Sequence, residues 1–236
     1  MAEALDLLMV VPARSGSKGL PDKNIRPLAG KPLLSWTAQT IGEAGLPKAL
    51  AVLSTDSEQY AEIGRGSGLV VPFLRPACHA TDAASSLQVV EHALDWFRQH
   101  YAYLPAWVML LQPTSPFRSP AILRQAMALA NGGNVAAVIG CKEIQRNLTT
   151  LFQLCDGFMQ ALDNRQPTQA SRQQSRPLLT PNGAMYLCRT DFLLTHKSFY
   201  PPQTVPLVMN TIQSLDIDTE DDWLSPRPLL SKGWYE

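Results

Sequence analysis

The chain has 236 residues, 45% of them hydrophobic, which is enough to bury a full core, and its twenty basic and twenty acidic side chains cancel. That balance gives no reason to expect nucleic acid or an anionic membrane as a partner. The four cysteines form no C-x-x-C pair, so neither a disulfide framework nor a zinc site is expected; Cys141 and Cys188 lie in apolar runs, where a thiol acts as a small buried hydrophobe.

The first apolar run, Leu7–Val11, reads as a buried strand. It is short, is preceded by Asp6 and lacks the flanks of a signal peptide, so no membrane partner and a cytoplasmic location are expected. It leads into "PARSGSKGLPDKNIR", where Arg14, Lys18, Lys23 and Arg26 against Asp22 leave a local charge of about +3. Such a composition favours a solvated turn. It also allows the backbone N–H groups of Ser15, Gly16, Ser17 and Gly19 to turn inward around phosphate oxygens, with charge from Arg14 and Lys18. The pattern is not a Walker loop, because Gly19 stands where the magnesium-binding Ser or Thr would be.

Next, "KPLLSWTAQTIGEAG" predicts a helix that begins near Pro32 and is capped near Gly45. Strands are expected at Ala49–Ser54 and Val70–Phe73, and the intervening "GRGSG" reads as a helix stop rather than a dinucleotide loop. "SSLQVVEHALDWFRQH" places Leu87, Val90, Ala93, Leu94 and Phe97 on one helical face. Strands follow at Trp107–Leu111 and Val135–Gly140. Between these two strands, "QPTSPFR" reads as a turn that carries Arg118 to the surface, with Gln112 able to offer its amide to a ligand.

Beyond residue 141 the rhythm breaks. "TTLFQL" and "GFMQAL" around Cys155–Asp156 suggest a hairpin, and the polar "DNRQPTQASRQQSRP" reads as a mobile loop or an arm that docks on another subunit. "GAMYLCR" and "SLDID" return to the core. In "SLDIDTEDDW", Thr219 and Asp222 suit a helix start. Asp216 and Asp218 flank Ile217 at strand spacing and are expected to point the same way; two such carboxylates repel unless a cation lies between them, and Mg²⁺ suits their hard oxygens. His79, His92, His100 and His196 are scattered and form no ligand or triad pattern, and the N-x-T triplet at Asn147 carries no meaning in a cytosolic chain.

Alternating strands and amphipathic helices give an α/β fold, with a mostly parallel, Rossmann-like sheet flanked by helices and one main domain over residues 1–236. In such sheets ligands bind beyond the carboxyl ends of the strands, where the opening loop, "QPTSPFR" and "DIDTEDD" all fall.

The combination "VPARSGSKGLPDKNIRPLAGKPLLSWT", "STDSEQYAE", "VPFLRPACHATDAASS", "LQPTSPFR", "PNGAMYL" and "SLDIDTEDDW" resembles the acylneuraminate cytidylyltransferases in order and spacing, from Val10 to Trp223. The resemblance implies a fold of the nucleotide-diphospho-sugar transferase type and transfer of CMP from CTP to a nonulosonic acid, with release of pyrophosphate. By it, Arg14, Ser17, Lys18 and Lys23 match the triphosphate loop, Arg14 and Lys18 also acting in catalysis. Asn24, Arg75, Ser86 and Gln112 match positions that contact nucleotide or substrate, with Gln112 on the substrate side. Asp216 and Asp218 match the ligands of Mg²⁺, for which Mn²⁺ is an alternative, and the general base stays open between a metal-assisted route and Asp218. The resemblance further implies a homodimer built through an arm at about 142–180, where "SRQQ" leaves Arg172 alone of a family arginine pair to bind the sugar carboxylate. The identity of the sugar acid stays open. A ketodeoxyoctonate-type cytidylyltransferase and an inactive nucleotide-binding relative stand as alternatives.

Overall fold

The run LLMVVP is apolar on both sides of its pleat because both faces are covered, as expected of a strand inside a parallel sheet. A computed structural model of the chain describes residues 4–16, 19–81, 83–146, 148–162 and 177–225. In it this run forms strand β1 (Leu7–Pro12), whose Leu7, Met9 and Val11 face one buried cluster while Leu8 and Val10 face another.

The elements that follow are a two-residue ribbon, β2 (Pro27–Leu28) and β3 (Lys31–Pro32), then α1 (Leu33–Ala44), β4 (Ala49–Ser54) and α2 (Glu58–Gly66). Next come α3 (Ser86–Tyr101), β5 (Trp107–Leu110), α4 (Pro120–Ala130) and β6 (Ala137–Ile144). A hairpin, β7 (Phe152–Cys155) and β8 (Phe158–Ala161), precedes β9 (Leu178–Arg189), α5 (Thr190–His196), β10 (Thr204–Val208) and α6 (Glu220–Leu224). The main sheet has the order β10-β6-β9-β5-β1-β4, and only β9 runs antiparallel to its neighbours. Helices α1 and α4 cover one face through Leu34, Ala38, Ile41, Ile122, Leu123 and Ala126; α3 and α5 cover the other through Val89, Val90, Ala93, Leu94, Phe97 and Leu193.

Gly45 caps α1 in the left-handed conformation, and α2 stops at the predicted glycines, with Gly68 at φ +90°. The expected hairpin forms, but it turns at Asp156–Gly157, one residue later than Cys155–Asp156, because Cys155 pairs with Phe158 in the ribbon. Val70–Phe73 is not a strand: only isolated bridges at Val70 and Leu74 join this segment to the edge strand, and Pro72 lacks the donor that a ladder needs. Val89 takes the buried place on α3 expected for Leu87, which is only partly buried, and β6 runs four residues past the predicted end. Asn147 lies outside the described residues.

Two irregularities shape the edge where the parallel strands end. The β6–β9 register shifts between Ile139↔Tyr186 and Cys141↔Pro181, so β9 bulges at residues 182–185 opposite Gly140. A third, small cluster of Leu20, Leu28, Leu33, Trp36, Ile217 and Trp223 lies below this edge and joins the loop after β1 to the chain segment before α6. Ile217, 1% exposed, is its link to the two flanking aspartates. Ile217→Ala is expected to cost about 2–5 kcal/mol, as a truncated buried side chain does, and urea unfolding at unchanged slope is the measurement.

Candidate active site

Strand order reverses between β1 and β5, because the chain passes from β1 to β4 on one side and returns to β5 on the other. The loops after β1 and β5 therefore diverge, and a crevice opens between them. Here it is a cleft of about 540 Å³ lined by Arg14, Gly19, Lys23, Asn24, Arg75, Ser86, Gln112, Thr114, Asp216 and Asp218, among others. The fold thus brings together, from five separate segments, residues whose types and spacing already pointed to a shared site. Ser15 and Gly16 lie in the same loop beside Arg14, whereas Ser17, Lys18 and Arg172 are outside the described residues.

The basic loop is held by its acids and amides. Asp56, just past β4, accepts hydrogen bonds from both the Ser15 N–H and the Ser15 hydroxyl at 2.8 Å, and the buried Asn24 amide donates to the Arg14 carbonyl at 3.2 Å. Asp22 accepts from the Tyr60 hydroxyl at 3.1 Å. Gly19 must be bare: a Cβ there would lie 2.7 Å from the Asp218 carbonyl oxygen. Arg75 is buried against Ser54, donating to its carbonyl and to its hydroxyl, and burial pushes the guanidinium down to about 10.

The two aspartates are not on a strand, and they do not share one environment. Residues 215–218 are irregular, pinned where the Ile217 N–H donates to the Thr114 carbonyl at 2.8 Å. Asp216 is half-buried, and burial pushes its carboxyl above its ordinary value, with the Thr114 hydroxyl offsetting part of the effect and Asp218 adding to it. Its Oδ1 is buried without a hydrogen-bond partner. Asp218 is exposed and pairs with the Lys23 ammonium. Thr219 and Asp222 form the predicted cap, each accepting from the other's backbone N–H.

Among the described residues no group of three or more His, Cys, Asp or Glu forms a metal cage. Two carboxylates, one with an orphaned buried oxygen, nevertheless fit a hard divalent cation whose other ligands are phosphate and water. The histidines do not converge on the cleft; His79 and His92 are ring neighbours at 5.6 Å, and His100 and His196 are exposed.

Three contributors escaped the sequence reading. Asp56 anchors the loop, and its signal was its place in "STDSEQ" directly after a strand. Arg118 is not at the surface but 2% exposed, donating to the Ala184 carbonyl and to the Thr37 hydroxyl. Gly183, in the β9 bulge, has φ +78°, and a Cβ on it would stand 2.9 Å from Gln112 Oε1 and 3.3 Å from Asp216 Oδ2.

The cytidylyltransferase family model matches residues 8–226. The CMP-N,N'-diacetyllegionaminic acid synthase of Legionella pneumophila is 35% identical over 95% of this chain and 96% of its own length. An N-acylneuraminate cytidylyltransferase of Streptococcus agalactiae is 34% identical over 92% of this chain but 51% of its own, so the chain spans about half of that relative. The structure of CMP:2-keto-3-deoxy-manno-octonic acid synthetase complexed with CTP superposes with a TM-score of 0.68 at 15% identity, covering 96% of this chain and 99% of that one, a likeness of fold.

Gly183→Ala is expected to lose on the order of 1–3 kcal/mol, from the left-handed backbone together with the displaced Gln112 amide. A lowered melting midpoint in differential scanning calorimetry is the check.

Proposed function

The chain belongs to the cytidylyltransferase family, and from that premise we propose that it transfers CMP from CTP to the anomeric hydroxyl of a nonulosonic, sialic-type acid, releasing pyrophosphate. One observation carries the reading. A cationic loop and two carboxylates of unlike environment line one cleft at the switch point, and Gln112 lines the same cleft.

Arg14 and Lys23 bind the phosphates on the loop side, and Lys18, outside the described residues, joins them in this reading. Gly16 and Ser17 supply backbone donors beside Ser15, whose own N–H is engaged by Asp56, while Asn24, Arg75 and Ser86 border the nucleoside. Gln112 orients the acceptor with its amide, and Arg172 takes the acceptor's carboxylate. Asp216 and Asp218 would hold a divalent ion, Mg²⁺ or Mn²⁺, which when bound withdraws charge from the α-phosphate and acidifies a nearby hydroxyl. The acceptor hydroxyl, its proton passing to Asp218 or to water, attacks the α-phosphorus in line as the bond to pyrophosphate breaks, so the residues act by positioning and by spreading charge. Arg14 and Lys23 meet the growing negative charge of the leaving group. Because Gly19 lies against the Asp218 backbone, the two halves of the site keep a fixed separation.

Incubation of the protein with CTP, Mg²⁺ and a panel of N-acetylneuraminate, legionaminate, pseudaminate and ketodeoxyoctonate should give a CMP-sugar mass with one of the nine-carbon acids. Product from ketodeoxyoctonate alone would sink the reading. Asp218→Asn and Arg14→Ala should each lower pyrophosphate release at least about tenfold, the scale of one lost transition-state contact, and near-wild-type rates would remove the assigned roles.

The proposal includes a homodimer. Its support is the β7–β8 hairpin, outside the main sheet, with Leu154 79%, Phe158 77% and Met159 71% exposed. So much apolar surface on one ribbon marks an interaction site, and the arm at about 142–180 is the one read as reaching a second copy. Leu154→Asp with Phe158→Asp should shift the molar mass in light scattering from two chains to one while the melting transition persists.

A further inference from the structure

A guanidinium as deeply buried as that of Arg118 is costly unless its charge is answered. No carboxylate of the described residues pairs with it. Its partners are neutral: Nη1 donates to the Ala184 carbonyl and, at 3.5 Å, to the Gln112 carbonyl, and Nη2 donates to Thr37 Oγ1 at 3.0 Å. Burial pushes this arginine down to about 9. An apolar side chain of similar volume would avoid the cost of burying a charge, so the fork geometry is what the position uses. The fork joins α1, the loop after β5 and the bulge of β9. Arg118 is held at its own backbone too, where its carbonyl accepts from Thr40 Oγ1 at 3.1 Å.

Two of the three acceptors adjoin the cleft. One is the backbone of Gln112, whose side chain lines the cleft. The other is Ala184, the neighbour of Gly183, whose bare Cα lets the bulge approach both Gln112 Oε1 and Asp216 Oδ2. Asn182 secures the far side of the bulge, accepting from the Ala184 N–H at 3.1 Å and donating to Ser214 Oγ at 2.9 Å. The loop after β1 is held separately, by Asp56 and Asn24.

We propose that Arg118 is a positioning residue for the acceptor half of the site, clamping the β9 bulge to the loop after β5 and so setting the distance between the Gln112 amide and Asp216. This rests on the cytidylyltransferase reading for its kinetics but not for its structural readout.

The test compares Arg118→Met and Arg118→Lys with Leu193→Ala, a buried core control on α5 that does not line the cleft. With the acid that the wild type turns over, Arg118→Met should lower kcat/KM for the acceptor at least about tenfold and leave the KM for CTP within about threefold, since small misplacements of a binding group carry such losses. Arg118→Lys should recover the melting midpoint but not the acceptor KM, because one ammonium cannot span both carbonyls. Leu193→Ala should melt earlier with both KM values kept. Equal losses for both substrates, or recovery of the acceptor KM in Arg118→Lys, would overturn the proposal. Hydrogen exchange of the CTP-free protein gives the readout independent of turnover: faster exchange around Gln112 and Gly183, with residues 14–16 unchanged, supports the clamp. A uniform loss of protection in both arginine variants refutes it, whether or not the wild type makes a CMP-sugar.

Discussion

The site hangs on one junction, where the Ile217 N–H meets the Thr114 carbonyl and the Ile217 side chain enters the small cluster beneath the loop after β1. A buried apolar residue between two aspartates settles a conflict that neither aspartate could settle alone. Carboxylates prefer water, and like charges prefer distance. Burial of Ile217 holds them at the sheet edge regardless, with Asp216 drawn inward and Asp218 left facing solvent and Lys23. The contact of Gly19 with the Asp218 backbone then brings the cationic loop up to the same edge. Three loops from distant parts of the chain are registered by one apolar anchor and two backbone approaches.

Around that junction the charges are arranged unevenly. Arg75 and Arg118 are buried against carbonyls and hydroxyls, which restrain geometry without neutralising charge. Asp56 ties Ser15 beside Arg14, while Lys23 leans on an exposed aspartate, where solvent screens the pair. The result is a cleft whose positive side is built from rigid backbone supports and whose negative side contains one carboxylate already disfavoured in its ionised form. A phosphate-bearing ligand and a hard cation are the groups that such a distribution favours.

Local signals made much of this legible. The apolar runs of β1, β4 and β5 were recognisable because strands covered on both faces need continuous hydrophobicity. The cap of α1, the stop of α2 and the presence of the β7–β8 hairpin were legible because glycine and turn residues act over a few positions. The segment Val70–Phe73 misled because its apolar residues pack beside the edge strand without a continuous ladder. Arg118 misled more seriously: an arginine after two prolines reads as solvent-exposed, and only Thr37 and Ala184, brought in from two other segments to join Gln112 of its own loop, give it a buried place.

By itself the sequence determined which residue types could do the chemistry, the alternation that builds a parallel sheet, and the order in which basic loop, amide and paired acids reach its carboxyl edge. These are local or periodic properties, decided by side-chain chemistry and by the two- and 3.6-residue repeats of strand and helix. The tertiary structure alone decided that Asp216 and Asp218 differ in burial, that Asp56 holds Ser15, and that Gly183 must be bare. Those outcomes depend on distances between segments up to about two hundred residues apart, and such distances are set by how faces pack, which no local pattern encodes.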